Sequence, residues 1–178
     1  LCEGTDLTVS QLITDEVSCL HDYTLRVDQM RSAESAETVI LSGAGLEEFM
    51  ADILGNIETV IDCSAGIKVM SYDEDHDLAH EHSHDHHHEH DPHIWLSPAN
   101  AKIMAQNICD GLGRRYSAYS SIFQSNLQSL LQKLDALQTY GEETLTNLSN
   151  RELITFHDGF SYFAEAFDAL EELKRDLE

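Results

Sequence analysis

Histidine and acidic side chains crowd one internal stretch of this 178-residue sequence, from Asp73 to Pro98, which reads DEDHDLAHEHSHDHHHEHDPHIWLSP. Nine of the eleven histidines fall inside it, with aspartate and glutamate in most of the gaps. Neutral imidazole is the commonest protein ligand for zinc, and carboxylate oxygen is an acceptable second choice. His76, His80, His82, His84, His86, His87, His88 and His90 are therefore read as a secondary, ion-gathering set. A stretch this polar buries too little apolar surface to offset the entropy of ordering it, so a loop is expected, mobile until metal arrives. Expression tags are uninterrupted histidine runs at a terminus, whereas this run is internal and laced with acids. Ligands so dense and mobile take several ions loosely, and a tight site has to draw on residues elsewhere.

Three histidines stand apart from the bulk of the run, each at a chain transition. His21 lies in HDY after an apolar, β-branched run; His93 lies in DPHIWLSP just before a helix start; His157 lies in FHDGFSYF at a strand end. In open parallel sheets, ligands bind at the carboxyl ends of the strands. Three imidazoles delivered there would make three of the four ligands of tetrahedral zinc. Asp22, Asp91 and Asp158 lie beside them in sequence and are candidates to orient the rings. Taken singly, a histidine near a turn is an ordinary surface or half-buried residue, and each aspartate a plain loop acid. Only the joint arrangement singles them out.

Ten basic residues against thirty-three acidic ones give a formal net charge of −23. That field excludes nucleic-acid binding, which needs a basic footprint, and attachment to an anionic membrane through surface charge. Cations are its natural partners, because it raises their local concentration. Cys2, Cys19, Cys63 and Cys109 are scattered with no CxxC pair, and are read as free structural thiols or, in an exported protein, disulfides. No apolar span of transmembrane length and no signal peptide is visible, so no direct membrane insertion is expected of this chain. A mature exported chain has in any case lost its signal.

The elements that must position these side chains alternate strand and helix. Leu7 to Ile13 (LTVSQLI) reads as a strand, Leu25 to Ala36 as a helix, and Thr38 to Leu41 as a strand buried on both faces. A Ser42-Gly43-Ala44-Gly45 turn leads to a helix over Leu46 to Leu54, then a strand over Thr59 to Cys63 and an extended piece from Ile67 to Met70. Ser97-Pro98 starts a helix to about Leu112, with serine as N-cap and proline in the first turn. A longer helix is expected from about Ala118 to Leu148, striped by Phe123, Leu127, Leu130, Leu134, Leu137, Leu145 and Leu148 and broken at Gly141. Glu152 to Phe156 reads as a strand, Phe160 to Phe167 as a helix, and the charged stretch from Asp168 on as helical. This alternation indicates βαβ units and a parallel sheet.

The order HDYTLR, histidine-rich loop, DPHIWLSP, long helix, ITFHDGFSYFAEAF resembles the zinc-binding solute-binding proteins of bacterial ABC transporters, over nearly all of the chain to about Phe167. The resemblance implies an α/β fold: a parallel-sheet lobe with flanking helices, a long rigid linking helix, and the start of a second α/β lobe. Placed on this sequence, the division is an N-terminal lobe over 1–116 that includes the histidine-rich loop 73–92, the linking helix over 117–149, and a shortened C-terminal lobe over 150–178. The family's first strand and helix, and most of its second lobe with a fourth ligand, are expected to be missing. By motif, His21, His93 and His157 correspond to the family's three histidine ligands; manganese-carrying relatives have glutamate at the third. His157 and the loop therefore favour Zn2+, since manganese prefers oxygen.

The function implied is an extracytoplasmic receptor, in the periplasm or lipid-anchored at the cell surface, that captures Zn2+ and passes it to an ABC transporter permease in the membrane. No bond is made or broken in that task. Two other readings stay open. One is a zinc buffer or metallochaperone acting mainly through the loop. The other is a zinc hydrolase, which the absence of HExxH and GxSxG disfavours.

Overall fold

The computed structural model describes residues 1–14, 23–71, 90–155, 159–167 and 172–174, and the structural statements below concern these. The architecture is α/β. Strand β1 (Val39–Leu41) pairs in parallel with β2 (Val60–Asp62), Ile40 opposite Ile61. Short β-branched runs make both strands, and the α1 helix (Val27–Ser35) precedes them. Between them a 3-10 turn (Glu48–Met50) runs into the single-turn helix α2 (Ala51–Leu54).

Side chains alternate across a strand, so Leu41 and Ile61 point to opposite faces of this sheet. Leu41 packs with Ala33, Met50, Ile53 and Ile57 on the side of α1 and α2. Ile61 packs with Ala105, Cys109 and Leu112 of α3 (Pro98–Arg115), and with Phe123 and Leu127 of α4 (Ser120–Leu145). Burying Phe123 and Leu127 completely contributes about 1.5–3 kcal/mol each. Gly111 lets α3 close on the sheet: a Cβ there would lie 2.6 Å from Ile61 Cδ1.

The start of α3 follows its local sequence. Ser97 is extended (φ −97°, ψ 122°), its hydroxyl accepts from the Asn100 amide, and Pro98 occupies the first turn. Arg114 and Arg115 in the last turn complement the helix dipole. Then β3 (Glu152–Ile154), α5 (Ser161–Ala166) and β4 (Glu172–Lys174) form a second βαβ unit, with β3 and β4 parallel.

Four expectations are corrected. Residues 7–13 form no strand, and Val9 is 71 % exposed. A β-branched run needs a neighbour to complete its ladder, and none is seated there among the described residues. Strand β1 is not buried on both faces, since Ile40 is 42 % exposed. Gly141 does not break α4; the helix runs through it, because the missing side chain makes room for the Phe167 ring. Part of the final stretch expected to be helical is β4, drawn into pairing by β3. The leucine stripe of α4 is also only half used: Phe123 and Leu127 are fully buried, while Leu137 is 51 % exposed.

Cys63 and Cys109 are buried free thiols and Cys2 a half-buried one; Cys19 lies outside the described residues. Burial, with Asp62 and Glu47 nearby, pushes the Cys63 thiol up to about 12. No helix among the described residues is long and apolar enough to cross a membrane.

Candidate metal centre

His93 sits where the chain turns from Asp91-Pro92 into a 3-10 turn (Ile94–Leu96) and on into α3. Its Nδ1 lies 2.6 Å from Asp91 Oδ1, which also accepts from the His93 backbone amide at 3.0 Å. Asp91 is completely buried and His93 is 8 % exposed. Burial alone pushes the Asp91 carboxyl up. The hydrogen bonds from the His93 ring and amide, the His93 charge and the Ser161 hydroxyl outweigh it and hold the group below the usual carboxylate range. A carboxylate on Nδ1 fixes the ring's tautomer and orientation and raises the basicity of Nε2, the nitrogen that a metal would take. Asp91 Oδ2 is buried and has no hydrogen-bond partner among the described residues.

Gly159 and Tyr162 close over this pair. A Cβ at Gly159 would lie 2.9 Å from His93 Cε1 and 3.0 Å from Cγ and Nδ1, so the backbone two residues past His157 rests on the His93 ring. The hydroxyl of Tyr162, in α5, accepts from Met70 N at 2.8 Å and donates to Asp91 O at 2.9 Å. The ring of Trp95, the chain's single tryptophan, is 5.2 Å from that of His93 and 38 % exposed.

At the base of the histidine-rich run, Ser71 and His90 form an antiparallel bridge, with Ser71 Oγ 3.3 Å from His90 Nδ1. Asp91 N donates to Met70 O at 2.8 Å. Gln29, a buried polar residue of α1, ties Leu12 to Tyr23 and Arg26. Its Nε2 donates to Leu12 O and its Oε1 accepts from Tyr23 Oη and from Arg26 N. Tyr23 in turn meets Phe49 edge to face. At the carboxyl end of β1, the Glu47 carboxylate accepts from the amides of Ser42 and Gly43 and holds a turn in which Gly43, Ala44 and Gly45 all have positive φ. Ala44 thereby packs beside Ile94 and Tyr162.

Of the residues singled out from the sequence, the structure brings Asp91 to His93 and places His90 at the neck of the run. His21, Asp22, His157, Asp158 and the histidines from His76 to His88 lie outside the described residues. Among the described residues no three histidine, cysteine or acidic side chains gather to hold a metal. Gly159, Tyr162, Gln29 and Glu47 were not anticipated. The only sequence hint was the glycine directly after His157-Asp158, a small residue where two segments meet.

Comparison with known proteins adds a second line. A family model described as ZnuA, zinc-uptake complex component A, periplasmic, matches residues 3–173. The iron-binding protein YfeA of Yersinia pestis is 27 % identical over 166 residues, covering 91 % of this chain and 50 % of YfeA. Zinc-binding lipoprotein AdcA of Streptococcus pneumoniae is 26 % identical over 149 residues, 81 % of this chain and 30 % of AdcA. A crystal structure of ZnuA superposes with a TM-score of 0.71 at 27 % identity, over 84 % of this chain and 55 % of that one. The chain thus spans about half the length, or less, of the relatives it matches.

Proposed function

This chain belongs to the periplasmic zinc-uptake component A family, and from that premise we propose that it captures Zn2+ as cargo for uptake, through His21, His93 and His157. The family is one of solute-binding receptors for transport, so the task is capture and release, not catalysis. The metal would be handed to an ABC transporter permease outside the cytoplasm. In this reading residues 1–116 form the first lobe, 117–149 the link and 150–178 the beginning of the second lobe.

The observation that carries the reading is the buried Asp91–His93 hydrogen bond with Gly159 on the ring. A carboxylate on Nδ1 supports Nε2 of His93 as a metal ligand, and Gly159, two residues after His157 in sequence, rests on the ring. Relatives are named for zinc and for iron. Zinc is favoured here by the borderline-soft imidazole set and by the dense histidines at positions 76–90. Those side chains would gather ions or sense plenty, using the field of a chain with net charge −23.

A zinc titration of the whole chain tests this. One tight equivalent is expected, lost on His21→Ala, His93→Ala or His157→Ala. Several weak equivalents with no tight one would instead make the chain a buffer working through its histidine-rich run.

A further inference from the structure

Two chain segments meet at Met70 and Asp91, one entering the histidine-rich run and the other leaving it. In an antiparallel pair such residues exchange two backbone hydrogen bonds. Here one is direct, Asp91 N to Met70 O at 2.8 Å. The other is interrupted: the Tyr162 hydroxyl stands between the Met70 amide (2.8 Å) and the Asp91 carbonyl (2.9 Å), accepting from one and donating to the other. The side chain comes from 71 residues further along the chain, is 1 % exposed, and is seated by Ile67 and Ile94.

We propose that Tyr162 is a positioning residue for His93, acting through Asp91; its bearing on zinc rests on the function proposed above. The backbone of Asp91 is fixed by the hydroxyl at its carbonyl and by Met70 at its amide. From that fixed backbone its carboxylate reaches both His93 N and Nδ1. Without the hydroxyl, the Met70 amide and the Asp91 carbonyl would be orphaned in a buried site or would have to close on each other. Both outcomes move Asp91 and loosen a bond of 2.6 Å. Gly159, just ahead of α5, also rests on the His93 ring, so Tyr162 and Gly159 set the histidine from the same segment.

The test uses Tyr162→Phe, which keeps the ring and removes only the oxygen, beside Ile67→Val, which loosens the same apolar cluster but leaves the hydroxyl bridge. Two readouts are taken on the full chain: the proton NMR signal of His93 Nδ1–H in metal-free protein, and zinc affinity by competition with a chromophoric chelator. The short bond to a buried carboxylate predicts a slowly exchanging low-field proton in the wild type. Tyr162→Phe is expected to broaden or abolish it and to weaken zinc about tenfold, the scale seen when partners of metal-ligating histidines are lost. Ile67→Val is expected to leave both readouts at wild-type values. An unchanged proton and affinity in Tyr162→Phe, or an equal loss in Ile67→Val, overturns the proposal. If Tyr162→Phe loses the proton while the wild type takes up no zinc, the positioning role stands and the zinc reading falls.

Discussion

Gly159 rests against the imidazole of His93, so closely that a methyl group in its place would lie 2.9 Å from Cε1. Asp91-Pro92-His93 and Gly159, far apart in sequence, are thereby held at one point. Gly159→Ala removes no ligand and no hydrogen bond; it only pushes the ring. Overpacking of this kind costs about 1–3 kcal/mol. We expect a stability loss in that range by urea unfolding, with zinc binding weakened about tenfold or more. A variant that binds zinc as tightly as the wild type would mean that the ring can yield without consequence.

Asp91 contributes a charge as well as an orientation. Asp91→Asn keeps the shape and an acceptor for Nδ1–H but removes the negative charge that raises imidazole basicity. Zinc affinity should fall about 10- to 100-fold, with circular dichroism unchanged. Trp95, at 5.2 Å from the His93 ring, is a built-in reporter: its emission should change on zinc addition to the wild type, and at higher zinc in the variant. Equal titration midpoints for the two proteins would remove Asp91 from the account.

The neck of the histidine-rich run is closed by the Ser71–His90 bridge and by Asp91 N to Met70 O. Deleting residues 75–89 leaves three residues to connect Ser71 and His90, which already meet. The tight zinc equivalent should survive with an affinity within about threefold of wild type, while the weak equivalents vanish. Loss of the tight equivalent on this deletion alone would move the site into the run.

A pH dependence is expected at Glu47, away from the histidines. Burial raises its carboxyl, against the pull of the Ser42 and Gly43 amides that it accepts. The folded chain therefore holds this proton more firmly than the unfolded chain. Its contribution to stability is complete below the unfolded value of about 4.3 and is lost as pH rises through the higher folded value. Glutamine does not titrate, so the stability of the wild type relative to Glu47→Gln should fall as pH rises above about 4.3 in urea unfolding. A gap that widens in the wild type's favour would reverse the sign.

Much of this was readable from the sequence where the cause is local. Ser97-Pro98 announces α3 because cap and first turn are made by adjacent residues. Asp91 can reach His93 because the two are two positions apart across a proline. What depends on distant partners was not readable. The run at 7–13 has the composition of a strand, but composition does not supply a neighbouring ladder. Gly141 looked like a break because glycine weakens helices, yet it is the point where Phe167 enters. Tyr162 sat inside an ordinary amphipathic turn, and its role appears only when Met70 and Asp91 are seen on either side of the hydroxyl. The alternating leucines of α4 predicted a seam along the whole helix, whereas burial is complete only at Phe123 and Leu127.

The convergence of His21, His93 and His157 on one ion is tested most directly by a crystal of the zinc-loaded chain, with anomalous data on both sides of the zinc edge. The account predicts one strong peak with three imidazole nitrogens at about 2.0–2.1 Å, His93 binding through Nε2 while Nδ1 stays on Asp91. A peak ligated by the histidines of 76–90 alone, or one from which His93 is absent, would contradict it.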